Sequence, residues 1–254
     1  MLACIFILMN AILFLTALHN SIRYLYGLKI KRMLIILYYA FTLPTGLFKC
    51  AVMVLSIIHP PHYYDPKYLE TLQLWTVLAS TAIVLSLCSG TLVLLTMQQL
   101  TTTIQLFFGH IDAKQADFKE KAGYATAIIL VINLIASQYF IFLSFIARFV
   151  IIMFDFLLIT ISYTYSFCVL SRLLDKFKDQ TFEKEIASIR VQSWGFYIGS
   201  FLYLSFFIIE FTLPVLNGLY FGVIVTAVAL EEFSYFIPTM YFMAVHHRIF
   251  KEAI

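Results

Sequence analysis

Seven long hydrophobic stretches constrain what this chain can fold into more than any short motif does. Of its 254 residues, 62% are hydrophobic and 12% are charged, whereas soluble domains carry about a quarter charged residues. A bilayer-spanning helix needs about 20 apolar residues. Apolar runs of this length form helices in lipid, because each backbone amide there needs a hydrogen-bond partner within the protein. The candidate spans lie near 1–18, 33–58, 72–98, 122–144, 149–171, 193–216 and 217–245.

These stretches predict an all-α polytopic membrane protein, a bundle of seven transmembrane helices. No linker rich in Gly, Ser or Pro divides the sequence, so residues 1–254 are predicted to form a single domain. The first stretch lacks a basic residue before its apolar core and a small-residue cleavage site after it, so we interpret it as a retained helix and not as a signal peptide.

The basic residues predict one orientation. Lys and Arg near helix ends are retained on the cytoplasmic side, and four alternate segments carry 14 of the 17. The amino terminus is therefore predicted outside and the carboxyl terminus in the cytoplasm, in the plasma membrane or an endomembrane. The net charge of +3 is explained by this topology and by attraction to anionic lipid, so no nucleic-acid partner is implied. The basic segments are 19–32, 99–121, 172–192 and 246–254.

The connections carry their own predictions. Tight hairpins are expected around Arg148 and at Pro214–Gly218. Residues 109–123 are expected to form a polar cytoplasmic loop, and the mixed charges of 171–194 predict that helices five and six extend into the cytoplasm. That extension either docks a partner or is simply solvated. Its basic residues are Arg172, Lys176, Lys178, Lys184 and Arg190.

Metal and disulfide chemistry have little support in the sequence. The four cysteines fall within predicted helices, away from outer loops where an oxidising compartment would cross-link them. His59 and His62 lack a third and fourth ligand for a metal, so their loop is interpreted as interfacial. No metal or cofactor is expected.

Charged residues inside the predicted spans are the best site candidates, because each costs about 2.5–3.5 kcal/mol to insert at a helix centre. They lie in the outer half of the membrane or at its midplane, which favours an outward-facing polar ligand pocket. Lys49 would pair there with Glu231 or Asp155. The alternative is a set of ion pairs that fix helix packing. The predicted pocket residues are Lys49, Asp155, Glu210, Glu231, Glu232 and Tyr235.

The prolines and the uncharged polar residues inside the spans are better explained by structural roles than by a ligand site. Pro44 and Pro238 remove backbone donors and are candidate hinges. Asn10, Asn133, Ser137 and Gln138 are expected to form interhelical hydrogen bonds.

Enzyme motifs are absent from the sequence. It contains no Gly-x-Ser-x-Gly, His-Glu-x-x-His or phosphate-binding glycine loop. The last stretch has no Lys for a retinal Schiff base. We therefore expect no enzymatic activity.

In its seven spans, outside amino terminus and basic inner loops, the chain resembles the G-protein-coupled receptor superfamily along its whole length. It departs from the rhodopsin-like class, with LLTMQQL at 94–100 in place of Asp-Arg-Tyr and FIPTMYF at 236–242 in place of Asn-Pro-x-x-Tyr. EEFSYFIP, residues 231–238, followed by HHRIFK is similar to the last helix of the tobamovirus-multiplication-protein type of receptor-like proteins.

This resemblance implies a receptor-like or regulatory membrane protein. The leading hypothesis is that an unknown small ligand in the outer pocket alters the cytoplasmic surface of residues 172–192, which a G protein or small GTPase would bind. The alternatives are a transporter or channel, and a structural subunit of a larger membrane complex. The departures from the rhodopsin-like motifs count against classical G-protein coupling.

Overall fold

The computed structural model describes residues 2–27, 33–58, 66–140, 145–176, 183–212 and 221–252, at some helix ends by the backbone alone. Within these ranges the chain forms seven α-helices, a 3-10 turn at Gln138–Phe140 and no strand, so the all-α prediction is confirmed. The helices are α1 (Leu2–Gly27), α2 (Met33–Ile58), α3 (Pro66–Phe107), α4 (Ala113–Ser137), α5 (Phe145–Lys176), α6 (Glu183–Thr212) and α7 (Phe221–Glu252).

Six helices are long and apolar enough to cross a membrane, judged over the described residues. The seventh, α7, is not among them. Its described part includes Glu231 and Glu232, and acidic side chains oppose insertion most strongly. The six apolar segments are residues 3–26, 33–58, 76–107, 113–140, 146–173 and 187–209.

The surface of these helices has the polarity expected of a protein surrounded by lipid. On α1, Leu8 and Leu15 are each 61% exposed, whereas Asn10 is 1% exposed. On α4, Ile129 is 66% and Ile132 61% exposed. Contiguous apolar faces of this kind are unfavourable in water and are typical of helices that contact acyl chains.

The chain divides into two compact units. Unit 1 comprises residues 1–7 and 30–179, and unit 2 comprises residues 8–29 and 180–254. In unit 1, α3 packs against α2, α4 and α5, and nearly every residue from Leu87 to Leu95 is buried. In unit 2, α6 packs against α7.

Helix α3 ends in a Schellman motif. Gly109 has a left-handed backbone, with φ of 69°, which an L side chain rarely adopts. The His110 amide donates to the Gln105 carbonyl at 2.9 Å, and the Gly109 amide donates to the Leu106 carbonyl at 3.0 Å. These two bonds satisfy carbonyls that the helix end leaves without partners.

Helix α4 begins three residues later with a capping box. The Asp112 carboxylate accepts a hydrogen bond from the Gln115 amide at 2.6 Å, and the Gln115 side chain accepts one from the Asp112 amide at 3.4 Å. The expectation of a polar loop over 109–123 is therefore wrong from Ala113 onward, because this box starts the helix ahead of its apolar part.

The break between α4 and α5 lies earlier than the sequence suggested. Arg148 is not in the connection but in the first turn of α5. The end of α4 is held on α3 by a two-bond pair: Ser80 Oγ donates to Gln138 Oε1 at 2.8 Å, and Gln138 Nε2 donates to the Ser80 carbonyl at 3.3 Å. The interhelical role predicted for Gln138 is confirmed.

Three other connections were predicted, with different outcomes. Helices α5 and α6 extend to Lys176 and from Glu183, so the predicted helical extension of both is confirmed. The predicted hairpin at 214–218 and the loop with His59 and His62 lie outside the described residues.

Candidate functional site

A buried carboxylate and amide join α1 to α7 within unit 2. Asn10 is 1% exposed and Glu232 is 2% exposed. Asn10 Nδ2 donates to Glu232 Oε2 at 2.6 Å. The predicted interhelical hydrogen bond of Asn10 is confirmed, and its acceptor is one of the predicted pocket residues.

The two adjacent glutamates of α7 differ in burial. Glu232 is buried, whereas Glu231 is half-buried, as expected for residues about 100° apart around a helix. The Glu231 backbone carbonyl accepts a hydrogen bond from Ser234 Oγ at 2.7 Å. Tyr235, one turn further along, is 7% exposed. Glu232, and not Glu231, is therefore the more deeply buried carboxylate.

A second buried carboxylate lies in unit 1. Asp155 of α5 is 1% exposed, and its Oδ1 accepts a hydrogen bond from Asn133 Nδ2 of α4 at 2.8 Å. Its Oδ2 is buried and has no hydrogen-bond partner among the described residues. Asn133 makes the predicted interhelical bond. Ser137 does not, because its hydroxyl donates to the Leu134 carbonyl of its own helix at 2.6 Å.

Lys49 lies on a buried polar face of α2, together with Thr42 and Thr45. Lys49 is 3% exposed, and both threonines are fully buried. Thr42 Oγ1 lies 3.4 Å from Ser89 Oγ of α3. Residues three and seven positions apart share one side of a helix, so this face presents the three side chains as a single stripe.

The predicted pocket residues thus fall in two groups. Lys49 and Asp155 belong to unit 1, and Glu231, Glu232 and Tyr235 belong to unit 2. The suggested pairing of Lys49 with Asp155 is not observed: the donor to Asp155 is Asn133, and no other described donor reaches its carboxylate. Glu210 lies in α6, but its side chain is outside the described part. The pairing of Lys49 with Glu231 stays a prediction.

Both candidate hinge prolines lie inside continuous helices, Pro44 in α2 and Pro238 in α7. Because Pro238 has no amide hydrogen, it leaves the Ser234 carbonyl without the bond a helix would normally supply. That carbonyl faces α6: a Cβ placed on Gly199 would lie 2.8 Å from it and 2.6 Å from Pro238 Cγ. Because Gly199 has no Cβ, α6 can pack directly against the Ser234 carbonyl and the Pro238 ring of α7.

Sequence reasoning missed this contact, although a signal was present. GFYIG, residues 195–199, places two glycines four residues apart in an apolar helix, a pattern that allows close helix approach in membranes. A Cβ on Gly195 would lie 2.5 Å from Tyr241 Cβ. Both glycines thus contact α7 on one side of α6.

The predicted cytoplasmic partner surface is described only in part. Arg172 at the end of α5 and Arg190 in α6 are exposed. Lys176 and Lys184 lie in helices whose side chains there are not described, and Lys178 lies outside the described residues.

Among the described residues no group of three His, Cys, Asp or Glu is placed to hold a metal ion. The chain matches no family model, no curated protein and no solved structure.

Proposed function

We propose that the chain is a seven-pass integral membrane protein, with its amino terminus outside and its carboxyl terminus in the cytoplasm. Six apolar helices of spanning length support the multi-pass part of this proposal. The seventh crossing is α7, whose first ten residues read FGVIVTAVAL. The orientation follows from the bias of Lys and Arg toward alternate connections.

Within this frame the proposed function is receptor-like signalling. The observation that carries it is the burial of three ionisable side chains, Lys49, Asp155 and Glu232, at 3%, 1% and 2% exposure. Ionisable groups inside membrane helices are expensive and mark ligand, ion or proton sites by default. A small polar or cationic ligand is the class that such groups recognise.

Signalling requires that ligand binding at these groups alter the cytoplasmic ends of the helices. Glu231 and Glu232 lie on the same helix as Pro238, and α7 packs on α6 through Gly195 and Gly199. A ligand that shifts α7 would therefore displace α6 and its cytoplasmic end around Arg190. The proposed partner is a G protein or a small GTPase, and the coupling is allosteric because the two sites lie at different ends of the same helices.

The test is guanine-nucleotide exchange, or partner recruitment, measured with the purified full chain in lipid nanodiscs. Glu231→Gln and Lys49→Met remove one charge each, and we expect both to reduce coupling. Asp117→Asn is the matched control, since Asp117 is exposed and pairs with Lys121 at 2.7 Å. Unchanged coupling in both variants would contradict the receptor-like function.

A structural subunit of a larger membrane complex is the second candidate. The observation that favours it is that both buried carboxylates bond to an asparagine of a neighbouring helix, as expected if their role is to hold helices together. A fixed partner on copurification, with no ligand-dependent coupling, would support it. Ion or solute flux in proteoliposomes would instead support a transporter or channel.

A further inference from the structure

The carboxyl group of Asp155 is buried in unit 1, and only one of its two oxygens accepts a hydrogen bond from the described residues. A carboxylate offers about four lone-pair sites, yet the described residues supply one donor, Asn133 Nδ2, to Oδ1. Oδ2 is buried and has none. An ionised carboxylate held this way would lose its hydration without replacement.

The helices packed against Asp155 offer no counter-charge. Helix α5 packs on α3 and α4. Residues 76–107 of α3 and residues 122–137 of α4 contain no Asp, Glu, Lys or Arg. The titratable group that faces Asp155 from α3 is the thiol of Cys88, 1% exposed and near enough to interact with it electrostatically. A thiol is mainly uncharged at neutral pH.

The described charged side chains elsewhere in unit 1 make no hydrogen bond to Asp155 either. On α5 itself, Arg148 precedes Asp155 by seven residues, about 10 Å along the helix axis. Lys49 of α2 is buried, but no hydrogen bond joins it to Asp155. An isolated charge in an apolar interior neutralises in preference to remaining ionised.

We propose that Asp155 is a membrane-embedded proton-binding site, which carries its proton at neutral pH while Asn133 donates to its carbonyl oxygen. This assignment is independent of the receptor-like function. It also distinguishes Asp155 from the acidic residues of the α3–α4 hairpin, whose side chains are exposed. Release of the proton would require a cation or water to reach Oδ2.

The test is infrared spectroscopy of the full chain in nanodiscs at neutral pH, by difference between the natural protein and Asp155→Asn. We expect the variant to lose one protonated-carboxyl carbonyl band that shifts in heavy water. Asp117→Asn, which removes an exposed carboxylate paired with Lys121, leaves that band in place. Loss of a carboxylate band in Asp155→Asn, with no loss in the protonated region, would overturn the proposal.

A second variant separates the proton from general damage to the fold. Asn133→Leu removes the donor to Oδ1, so the frequency of the Asp155 band should rise as its carbonyl loses the hydrogen bond. An unchanged frequency of the Asp155 band in Asn133→Leu would count against the assignment.

Discussion

At the scale of single residues, the energetics of this protein are dominated by polar side chains in apolar helices. Many hydroxyls are satisfied within their own helix, as Thr45 Oγ1 is by the Phe41 carbonyl at 2.7 Å. A carboxylate cannot be satisfied this way, because it only accepts and the backbone amides in mid-helix are already bonded. Asn10 of α1 and Glu232 of α7 instead form a hydrogen bond with each other within unit 2. Replacing either residue therefore removes this bond.

This pair leads to a prediction for Asn10→Leu. The substitution leaves a buried Glu232 oxygen without its donor, which we expect to lower the free energy of unfolding by about 1–3 kcal/mol. Glu232→Gln keeps an oxygen that can accept from Asn10, so it should cost clearly less. The measurement is unfolding in mixed micelles, with a double-mutant cycle of Asn10→Leu and Glu232→Leu. A coupling energy of zero would show that the bond contributes nothing to stability.

At the scale of helices, the contact between α6 and α7 depends on the absence of side chains. Gly195 and Gly199 are four residues apart and buried, and a Cβ on either would lie within 2.6 Å of Tyr241 or Pro238. Close backbone approach replaces the hydrophobic driving force that membrane helices lack. The proline and the glycine that face each other thus form one packing unit.

Gly199→Ala should therefore destabilise unit 2. A methyl group there overlaps the Ser234 carbonyl and the Pro238 ring, and overpacking of this kind costs about 1–3 kcal/mol. Gly90→Ala is the matched control, because nothing lies within 4 Å of a Cβ at that buried-helix position, and alanine is the better helix former by about 1 kcal/mol. Equal unfolding free energies for the two variants would contradict the close contact.

The capping of α4 in unit 1 gives a separate prediction. Asp112→Ala removes the acceptor for the Gln115 amide, and loss of an N-cap typically costs about 0.5–2 kcal/mol. Hydrogen exchange of amides at the start of α4 should accelerate, while exchange near Leu134 stays unchanged. Lys114→Ala, an exposed first-turn change without a cap role, is the control. Uniform protection in both variants would contradict the capping box.

For the whole molecule, the number of crossings decides the relation between the two termini. Seven crossings place them on opposite faces of the membrane, whereas six place them on one face. A reporter fused to each end, tested for access from either side of sealed vesicles, should find the amino terminus outside and the carboxyl terminus inside. Protection of both reporters from the same side would contradict the seventh crossing by α7.

Much of the architecture could be predicted from sequence, because length and apolarity decide which segments become helices in lipid. The helix ends were less accessible. The sequence pattern predicts a loop at the start of α4, because residues 113–121 are mainly polar, whereas the capping box of Asp112 and Gln115 begins a helix there. The glycines of α6 were overlooked because their effect depends on what lies opposite.

By itself, the sequence determined that the chain is helical, that most of its helices suit a lipid environment, and which rare polar residues bear the cost of burial. Apolarity and periodicity are local properties, so they follow directly from the amino-acid sequence. Only the tertiary structure decided that Asn10 meets Glu232, that Asn133 meets Asp155 and that Gly199 meets Pro238. Pairing between helices depends on their rotation and on which neighbours pack together, and neither is fixed by the spacing of residues within a single helix.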